Sequence, residues 1–442
     1  MQTTPRQTAK QTVEQTVKRI VIIGGGAGGC ELATSLGDTL GRQGAAEIVL
    51  IDKHPTHVWK PLLHEIATGT LPVTDCEVDY VQQAFHHHFH FEYGTASHID
   101  RDGRIVMLDR IVDAEGVVAP PRQVRYDWLV IAIGSLPNTF GTPGVNEHAL
   151  MLNETQDAEA IRAALLRRIY RIQLGAEQSV SLVIVGGGAT GVELAAELHH
   201  MARTLHAAGA AYGPERLRIT IVDAGARLLQ ASPEDVSQRA TRLLTECRVR
   251  ILNHRKVVGA AAGAVTLDDG TTLPADMVVW ASGVKAPAFL GTLGLPGTKT
   301  DQLRVTATLQ SPDDDAVYAL GDCASLTPAG AERALPATAQ VAHQQALYLA
   351  RALRERVAGR APGAFVFKDR GSLVSLGAGD AAGYVVGNQP RKTRSLHGPL
   401  AKLLYVSLYW LHQRALHGSL GTVRLMLVDR LRKVRRFGVK VY

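Results

Sequence analysis

The hydrophobic pattern of the chain alternates between short, uninterrupted apolar runs and longer segments in which apolar residues recur at helical spacing. Leu182–Val185 and Ile20–Ile23 are such runs, and they suit parallel strands that are buried on both faces. Each run is followed by a glycine cluster, a helix-forming segment and a further strand that ends in an acid. This order predicts βαβ units with parallel sheets.

The whole succession of elements occurs twice. After the strands Glu47–Asp52 and Leu217–Asp223, each copy has a hairpin with an Asp-Gly turn and then a buried strand that ends in glycine, Tyr126–Gly134 or Ala275–Gly283. Because the whole order of elements is repeated, the sequence predicts an α/β fold with two Rossmann-like dinucleotide-binding domains. Two such sites suggest that electrons pass between two dinucleotides.

Both glycine clusters fit the motif G-x-G-x-x-G between a strand and a helix. The first glycine allows a tight turn, the second lets a pyrophosphate approach the backbone, and the third brings helix and strand together. These glycines are Gly24, Gly26 and Gly29 in the first copy and Gly186, Gly188 and Gly191 in the second.

The acid that ends the next strand of each copy is Asp52 or Asp223. At this place a carboxylate accepts hydrogen bonds from an adenosine ribose, and the upstream glycines favour that role over an ordinary surface aspartate. Asp223 would also repel a 2′-phosphate, which predicts NADH rather than NADPH. Arg227 complicates this prediction, because a nearby arginine has the chemistry to bind the phosphate.

Charge and cysteine content narrow the class of protein. The net charge is +7, but the segment from Arg391 to Tyr442 has 12 Lys and Arg against one acid, so the remaining chain is mildly acidic. This distribution argues against a nucleic-acid enzyme with a basic active face and predicts a local attachment surface for anionic partners. Four well-separated cysteines, no apolar leader and no transmembrane run predict a reducing, cytoplasmic setting.

The basic tail is also amphipathic. A first segment has an apolar stripe, and beyond Gly418 a second segment combines apolar and cationic positions, which predicts a helix pair in the bilayer interface. An amphipathic pair docked on the protein is the alternative. The first stripe is Leu400, Leu404, Leu408, Leu411 and Ala415, with rings suited to the headgroup level at Tyr405, Tyr409 and Trp410. A chain that ends at His397 is expected to fold and keep its cofactor.

Two local clusters suggest chemistry that we do not favour. His86, His87, His88 and His90 form the densest histidine cluster, but no cysteine or carboxylate pattern completes a metal site, so we expect an exposed strand or loop and no metal. Cys30 has no second cysteine nearby, which predicts a buried structural thiol and argues against disulfide or sulfide:quinone chemistry.

From about Lys18 into the tail, the chain contains the motifs GGGAGG, KPLLHEIATG, GGGATGVELAAELHH, MVVWASGVKAP, VYALGDCAS, AQVAHQ and VSLYWLHQRALHG. With these motifs it resembles the bacterial type II NADH:quinone dehydrogenases, single-subunit flavoenzymes on the cytoplasmic membrane face. GGGAGG is generic, whereas KPLLHE together with AQVAHQ is much more specific.

The resemblance implies a role for each matching residue. FAD would be held by Gly24, Gly26, Gly29, Asp52, Lys60, Pro61, Gly321 and Asp322, and NADH by Gly186, Gly188, Gly191, Glu193, Asp223 and Gly283. The catalytic candidates are Glu193, Gln340, Gln344 and Lys60, with the two glutamine amides orienting the quinone oxygens. Helix-surface amides are the alternative for the glutamines. For Glu193, which the helix dipole is expected to keep charged, a helix-stabilising role is the alternative.

The expected organisation is a disordered extension (1–18), an FAD-binding domain in two parts (19–152 and 303–390), an NADH-binding domain (153–302) and a membrane-association segment (391–442). The expected function is non-pumping electron transfer from NADH to a membrane quinone by a peripheral enzyme that contacts anionic lipid. The alternatives are a soluble NADH-dependent reductase of a small protein acceptor and a flavin-bound redox sensor of low turnover. Dimerisation is left open.

Overall fold

The computed structural model describes residues 17–377, 379–387 and 393–434. Most of the expected N-terminal extension and the basic residues from Arg435 onward lie outside these ranges. The α-helices of the described residues are α1 (Ala27–Leu36), α2 (Leu63–Thr68), α3 (Tyr80–His86), α4 (Val145–His148), α5 (Thr155–Gln173), α6 (Ala189–Ala207), α7 (Glu234–Glu246), α8 (Ala339–Val357) and α9 (Pro399–Val434).

The first glycine loop begins at the end of a central strand in a six-stranded sheet. The strand order is Gln310–Ser311, Asp314–Ala319, Trp128–Ile131, Lys18–Ile23, Ala46–Asp52 and His90–Tyr93. All neighbouring strands are parallel except the first pair. Ile22 packs on one face with α1 and α8, while Val21 packs on the other with an antiparallel hairpin sheet. Burial on both faces explains the uninterrupted apolar run.

The second glycine loop begins in the same way from a five-stranded parallel sheet. Its strand order is Leu150–Met151, Met277–Trp280, Val180–Val185, Leu217–Val222 and Arg250–Leu252. Each large sheet has its own three-stranded hairpin sheet, Ala96–Asp100, Ile105–Leu108 and Arg122–Arg125 in the first copy and Val257–Ala261, Ala264–Leu267 and Thr272–Pro274 in the second. The predicted α/β fold with two Rossmann-like units is therefore confirmed. The exact domain limits stay a prediction, and the strand before residue 153 already belongs to the second sheet.

The remaining strands form smaller sheets. They are Thr56–Val58 with Glu77–Asp79, Ile111–Asp113 with Gly116–Ala119, Leu136–Pro137 with Val284–Lys285, Leu303–Arg304 with Ala324–Ser325, and Gly371–Ser375 with Ala381–Val386 and Thr393–His397. The pair Leu136–Pro137 and Val284–Lys285 links the two Rossmann-like units directly. Among the described residues of 365–386, the strands are Gly371–Ser375 and Ala381–Val386.

α9 consists of two parts that meet at Gly418, whose backbone angles (φ 67°, ψ 177°) are not helical. The part before Gly418 buries Ala401, Tyr405, His412 and Leu416 against the rest of the protein. The part after it is largely exposed. No helix of the described residues is long and apolar enough to cross a bilayer.

Candidate active site

The two glycine loops have the same geometry. Gly24 and Gly186 have φ angles of +99° and +116°, which an L side chain rarely adopts. A Cβ at Gly29 would overlap the carbonyl oxygen of Gly24, and one at Gly191 would overlap that of Gly186. The middle glycines are different, because no atom lies within 4 Å of a Cβ built at Gly26 or at Gly188. Each middle glycine thus leaves the N-terminus of its helix open for a ligand.

Asp52 and Asp223 occupy matching places beside these loops. Asp52 accepts hydrogen bonds from the backbone N–H groups of Gly25 (2.6 Å) and His54 (2.8 Å). In the second copy, Asp223 accepts from the N–H groups of Gly187 and Gly225. Both carboxylates therefore fix the shape of their own glycine loop, and their contact with a ribose stays a prediction.

Arg227, whose chemistry would suit the 2′-phosphate of NADPH, is bonded to its own loop. Its guanidinium donates hydrogen bonds to the carbonyl oxygens of Leu229 (3.2 Å), Gln230 (3.1 Å) and Ser232 (2.7 Å). These bonds tie the side chain to the loop before α7. Because its donors are engaged with the backbone, Arg227 is not poised to bind a 2′-phosphate.

A cavity of about 1580 Å³ lies between the two units. The predicted site residues in its walls are Gly26, Lys60, Pro61, Glu193, Gly321, Asp322, Gln340 and Gln344. The other predicted glycines and the two strand-end aspartates lie outside the walls, at the glycine loops or, for Gly283, at the link between the units. There Gly283 accepts a hydrogen bond from the N–H of Asn138 (3.1 Å), beside the ring of Phe140.

Lys60 and Asp322 form the polar part of the wall next to the first glycine helix. The Lys60 ammonium donates to the amide oxygen of Asn153 (3.0 Å), and Asp322 accepts from the Ser135 hydroxyl (2.8 Å). Lys60 is exposed and lines the cavity, and desolvation by the surrounding protein atoms lowers its pKa, while Asp322 acts in the opposite direction. The cavity thus presents a cation and a carboxylate close to the open end of α1.

Gly321 has a φ of +71° and is fixed by a residue that sequence reasoning missed. Its N–H donates to the side-chain oxygen of Gln345 (2.7 Å), which is 1% exposed. Gln345 directly follows the AQVAHQ motif, but no feature of the sequence distinguishes it from other glutamines on a helix.

Glu193 lies in a buried polar cluster, which corrects the expectation that the helix dipole keeps it charged. It accepts from the N–H of Ser375 (3.0 Å) and contacts the Tyr405 hydroxyl and the His64 ring. Burial raises its pKa to about 8, against the weaker opposite effects of these hydrogen bonds and of Lys402. Glu193 is in the second turn of α6, where desolvation outweighs the dipole. At neutral pH the side chain is therefore a neutral acid.

Two members of this cluster come from the tail. The Lys402 ammonium donates to the Ser375 hydroxyl (2.7 Å), and the Tyr405 hydroxyl also donates to the carbonyl of Pro61 (3.3 Å). Tyr405 is only 8% exposed, so its predicted place at the lipid headgroups is wrong. The part of α9 before Gly418 also forms a wall of the cavity, which argues against the expectation that a chain ending at His397 keeps its cofactor.

Gln340 and Gln344 lie on one face of α8, as their spacing predicts. Gln340 accepts from the N–H of Arg370 (2.7 Å) and donates to the carbonyl of Gly371 (2.9 Å). Gln344 accepts from the N–H of Lys368 (3.0 Å) and donates to its carbonyl (2.9 Å). Both amides thus hold the segment 368–371 at the edge of the cavity. α8 begins at Ala339, directly after Thr338, whose side chain caps the helix.

The two clusters that we did not favour carry no additional site in the described residues. No group of three or more His, Cys, Asp and Glu side chains is arranged there to hold a metal ion. His86, His88 and His90 are exposed. Cys30 is fully buried, which raises the pKa of its thiol, and no described cysteine forms a disulfide.

Known proteins and protein families are similar to this chain over most of its length. Residues 18–346 match the family model for pyridine nucleotide-disulphide oxidoreductases. The type II NADH:quinone oxidoreductase of Haemophilus influenzae is 37% identical over 446 residues, which cover 96% of this chain and 100% of that protein. The chain belongs to the type II NADH:quinone oxidoreductase family. FAD is accordingly its cofactor, and the open N-terminus of α1 and the adjoining polar cavity wall fit such a group.

Other relatives of this family are more distant. The type II NADH:quinone oxidoreductase of Staphylococcus aureus is 28% identical over 378 residues, covering 84% of this chain and 90% of that protein. The solved structure of NDH2 from Plasmodium falciparum in complex with NADH superposes with a TM-score of 0.81 at 18% identity, covering 96% of this chain and 99% of that one. This last likeness concerns the fold alone.

Proposed function

We propose that the chain transfers a hydride from NADH to FAD and passes two electrons on to a membrane quinone. The observation that carries this proposal is the cavity itself, which has the N-terminal ends of α1 and α6, Lys60 and α8 in its walls. A donor at one dinucleotide site, a flavin and an acceptor at α8 can therefore share one enclosed space. Hydride transfer requires such proximity.

The first glycine loop and its neighbours are assigned to FAD. Bound FAD supplies the chemistry that accepts two electrons as a hydride and gives them to an acceptor that takes electrons and protons separately. Gly26 leaves room for the pyrophosphate at the open end of α1. Lys60 and Pro61 would flank the flavin ring, and Asp322 would bind the ribityl chain of the flavin. Their matching motifs and their shared cavity wall support these roles.

The second glycine loop is assigned to NADH. Gly188 leaves the N-terminus of α6 open for the pyrophosphate, and Asp223 supplies the carboxylate that favours a ribose 2′-OH over a 2′-phosphate. The engagement of Arg227 with backbone carbonyls supports the same preference. Glu193 lies on the wall between this loop and the flavin side, where a neutral acid can donate a hydrogen bond or a proton.

The quinone end is assigned to the wall formed by α8 and α9. Gln340 and Gln344 serve it by fixing the segment 368–371, and a direct bond from either amide to a quinone oxygen stays a prediction. The neighbouring wall from Leu404 to Leu411 is mostly apolar. An apolar approach that leads to a few polar groups suits a quinone with a hydrocarbon tail.

The tail supports a peripheral place on the cytoplasmic face of the membrane. Beyond Gly418 the exposed apolar residues are Leu420, Val423, Leu425, Met426, Leu427, Val428 and Leu431. Arg424, Arg430 and Arg432 are exposed on the same segment. An apolar surface beside cations suits a helix that lies in the interface of an anionic membrane. The docked alternative applies to the part of α9 before Gly418, which is packed on the protein.

The test is a titration in two steps. Purified, FAD-loaded protein is bleached anaerobically with NADH, and a short-chain quinone such as menadione is then added. We expect stoichiometric bleaching and rapid recovery of the oxidised spectrum, with no comparable recovery from a ferredoxin. Recovery with the small protein but not with the quinone would instead support the soluble reductase, and slow turnover with both would support the sensor. The non-pumping character is tested in proteoliposomes, where quinone reduction should build no membrane potential.

A further inference from the structure

A chain of four polar side chains leads from the cavity into the interior. Glu31 on α1 is 3% exposed and lies between a histidine of α8 and a histidine of α9. Its Oε2 atom is 2.6 Å from Nδ1 of His343, and its Oε1 atom is 2.7 Å from Nδ1 of His412. Nε2 of His412 is in turn 2.9 Å from Nε2 of His57, and the His412 ring stacks on Trp59. Each carboxylate oxygen thus has its own imidazole partner.

The hydrogen bonds determine which atoms can exchange a proton. Burial by itself raises the pKa of Glu31, but the bonds from His343 and His412 outweigh it, so the pKa lies below its usual range and the group is ionised. An ionised carboxylate only accepts, and both Nδ1 atoms must therefore be donors. Nε2 is then the proton-exchanging atom of His343 and of His412.

Glu31, His343 and His412 all line the cavity, and His343 is the most exposed of the three. Its side chain is 27% exposed and lies in the cavity wall, between Gln340 and Gln344 in sequence. In the described part of the protein its Nε2 atom has no hydrogen-bond partner, whereas the amides of both glutamines are bonded to the segment 368–371. On this face of α8, His343 is thus the side chain with an available proton site.

We propose that His343, held by Glu31 and connected to His412, is the proton donor to the quinone, an assignment that rests on the proposed function. NADH gives two electrons and one proton as hydride, and a quinone takes two electrons and two protons to become a quinol, so one further proton must come from water. His343 gives its Nε2 proton to a quinone oxygen and becomes a neutral imidazole that still donates its Nδ1–H to Glu31. Water then restores the proton.

The arrangement explains why a carboxylate is buried at this place. Glu31 stabilises the imidazolium form of His343, while burial, then His412 and Lys60, lower the pKa of His57 and keep that ring neutral. A neutral His57 can therefore share a hydrogen bond with Nε2 of His412 without adding a second buried charge. Other charged or titratable groups in the cavity wall include Lys60, Asp369, Arg370 and His417.

Three variants separate the parts of this assignment. His343→Asn keeps an amide N–H near the Nδ1 position and removes the Nε2 donor. His343→Gln places its amide near the Nε2 position and loses the bond to Glu31. Glu31→Gln keeps the shape and removes the charge. The matched control is His87→Asn, because His87 also pairs with a carboxylate (Asp38, 3.0 Å) but does not line the cavity.

The measurement is flavin reoxidation in a stopped-flow instrument after reduction by NADH, with menadione or with ferricyanide, which takes electrons without protons. A pH indicator in weak buffer records proton uptake at the same time. We expect His343→Asn to slow reoxidation and proton uptake by menadione about 100-fold, the lower range for a lost general acid, with ferricyanide unaffected. The menadione rate of the wild type should fall as pH rises, and Glu31→Gln should move that fall to lower pH.

The outcomes are distinguishable. A menadione rate and pH profile of His343→Asn that match those of the His87→Asn control would overturn the proposal. An equal loss with both acceptors would also overturn it, because it indicates a structural role. If the wild type itself reacts with ferricyanide but not with menadione, it is the proposed quinone function that fails.

Discussion

The substitution Glu193→Gln tests the most consequential feature of the site, a carboxyl group that stays protonated at neutral pH. Glu193 is 8% exposed, and burial raises its pKa from 4.5 to about 8. In the unfolded chain the same group loses its proton near its ordinary pKa. Between these two values the folded state therefore binds more protons than the unfolded state, and stability falls as pH rises.

The magnitude follows from this difference. One proton contributes a slope of about 1.4 kcal/mol per pH unit, so the free energy of unfolding loses up to about 5 kcal/mol between the two pKa values. The stabilising contribution is complete below the unfolded pKa and is lost as pH approaches 8. Glutamine cannot ionise and has no such term. Relative to the wild type, Glu193→Gln should therefore gain stability steadily over this window.

The assay is urea unfolding of wild type and variant at saturating FAD, at several pH values from about 5 to 9, with equal m-values required. The exposed Glu159→Gln on α5 is the control, and its curve should run parallel to the wild type. A constant difference between wild type and Glu193→Gln across the range would refute the reasoning, because it would mean that Glu193 is ionised in the folded protein.

Three further predictions concern the substrates and the tail. Asp223→Asn should reduce the ratio of kcat/KM for NADH to kcat/KM for NADPH about tenfold, because the variant no longer repels the 2′-phosphate. An unchanged ratio would mean that Asp223 does not discriminate between the two substrates. Gln340→Ala and Gln344→Ala should slow flavin reoxidation by menadione and leave reduction by NADH nearly unchanged in the stopped-flow instrument, whereas equal losses in both steps would mark them as structural. A chain that ends at Gly418 should keep FAD but no longer sediment with anionic liposomes at low salt, since each lost cation contributes about 1 kcal/mol. A chain that ends at His397 should lose FAD as well, and retention of FAD by that shorter chain would contradict the assignment of α9 to the cavity wall.

The glycine loops and the parallel sheets could be predicted because their causes are local. Gly24 and Gly186 need a positive φ at a strand end, and the flanking apolar runs reflect burial on both faces. A repeated succession of such signals determines a fold class without knowledge of the packing. The same reasoning identified eight residues of the cavity wall, among them Lys60, Asp322 and Gln340, since they lie in recognisable motifs.

What the sequence did not reveal depends on partners far along the chain. Glu193 is neutral because segments far along the chain bury it, among them those of Ser375 and Tyr405, which no pattern places beside it. Likewise, the pairing of Glu31 with two distant histidines is a product of helix packing. The stripe of the tail was recognised, but only packing shows that Tyr405 turns inward.

The two parts of α9 form the wall of the cavity and the exposed apolar segment, so the cavity and the membrane surface are expected to be close together. A quinone that dissolves in the bilayer would reach the wall from Leu404 to Leu411 without entering bulk water. The concentration that matters is then the mole fraction of quinone in lipid. The Michaelis constant for quinone, expressed per volume of buffer, should rise in proportion to the amount of lipid added. The same constant expressed per mole of lipid should stay unchanged.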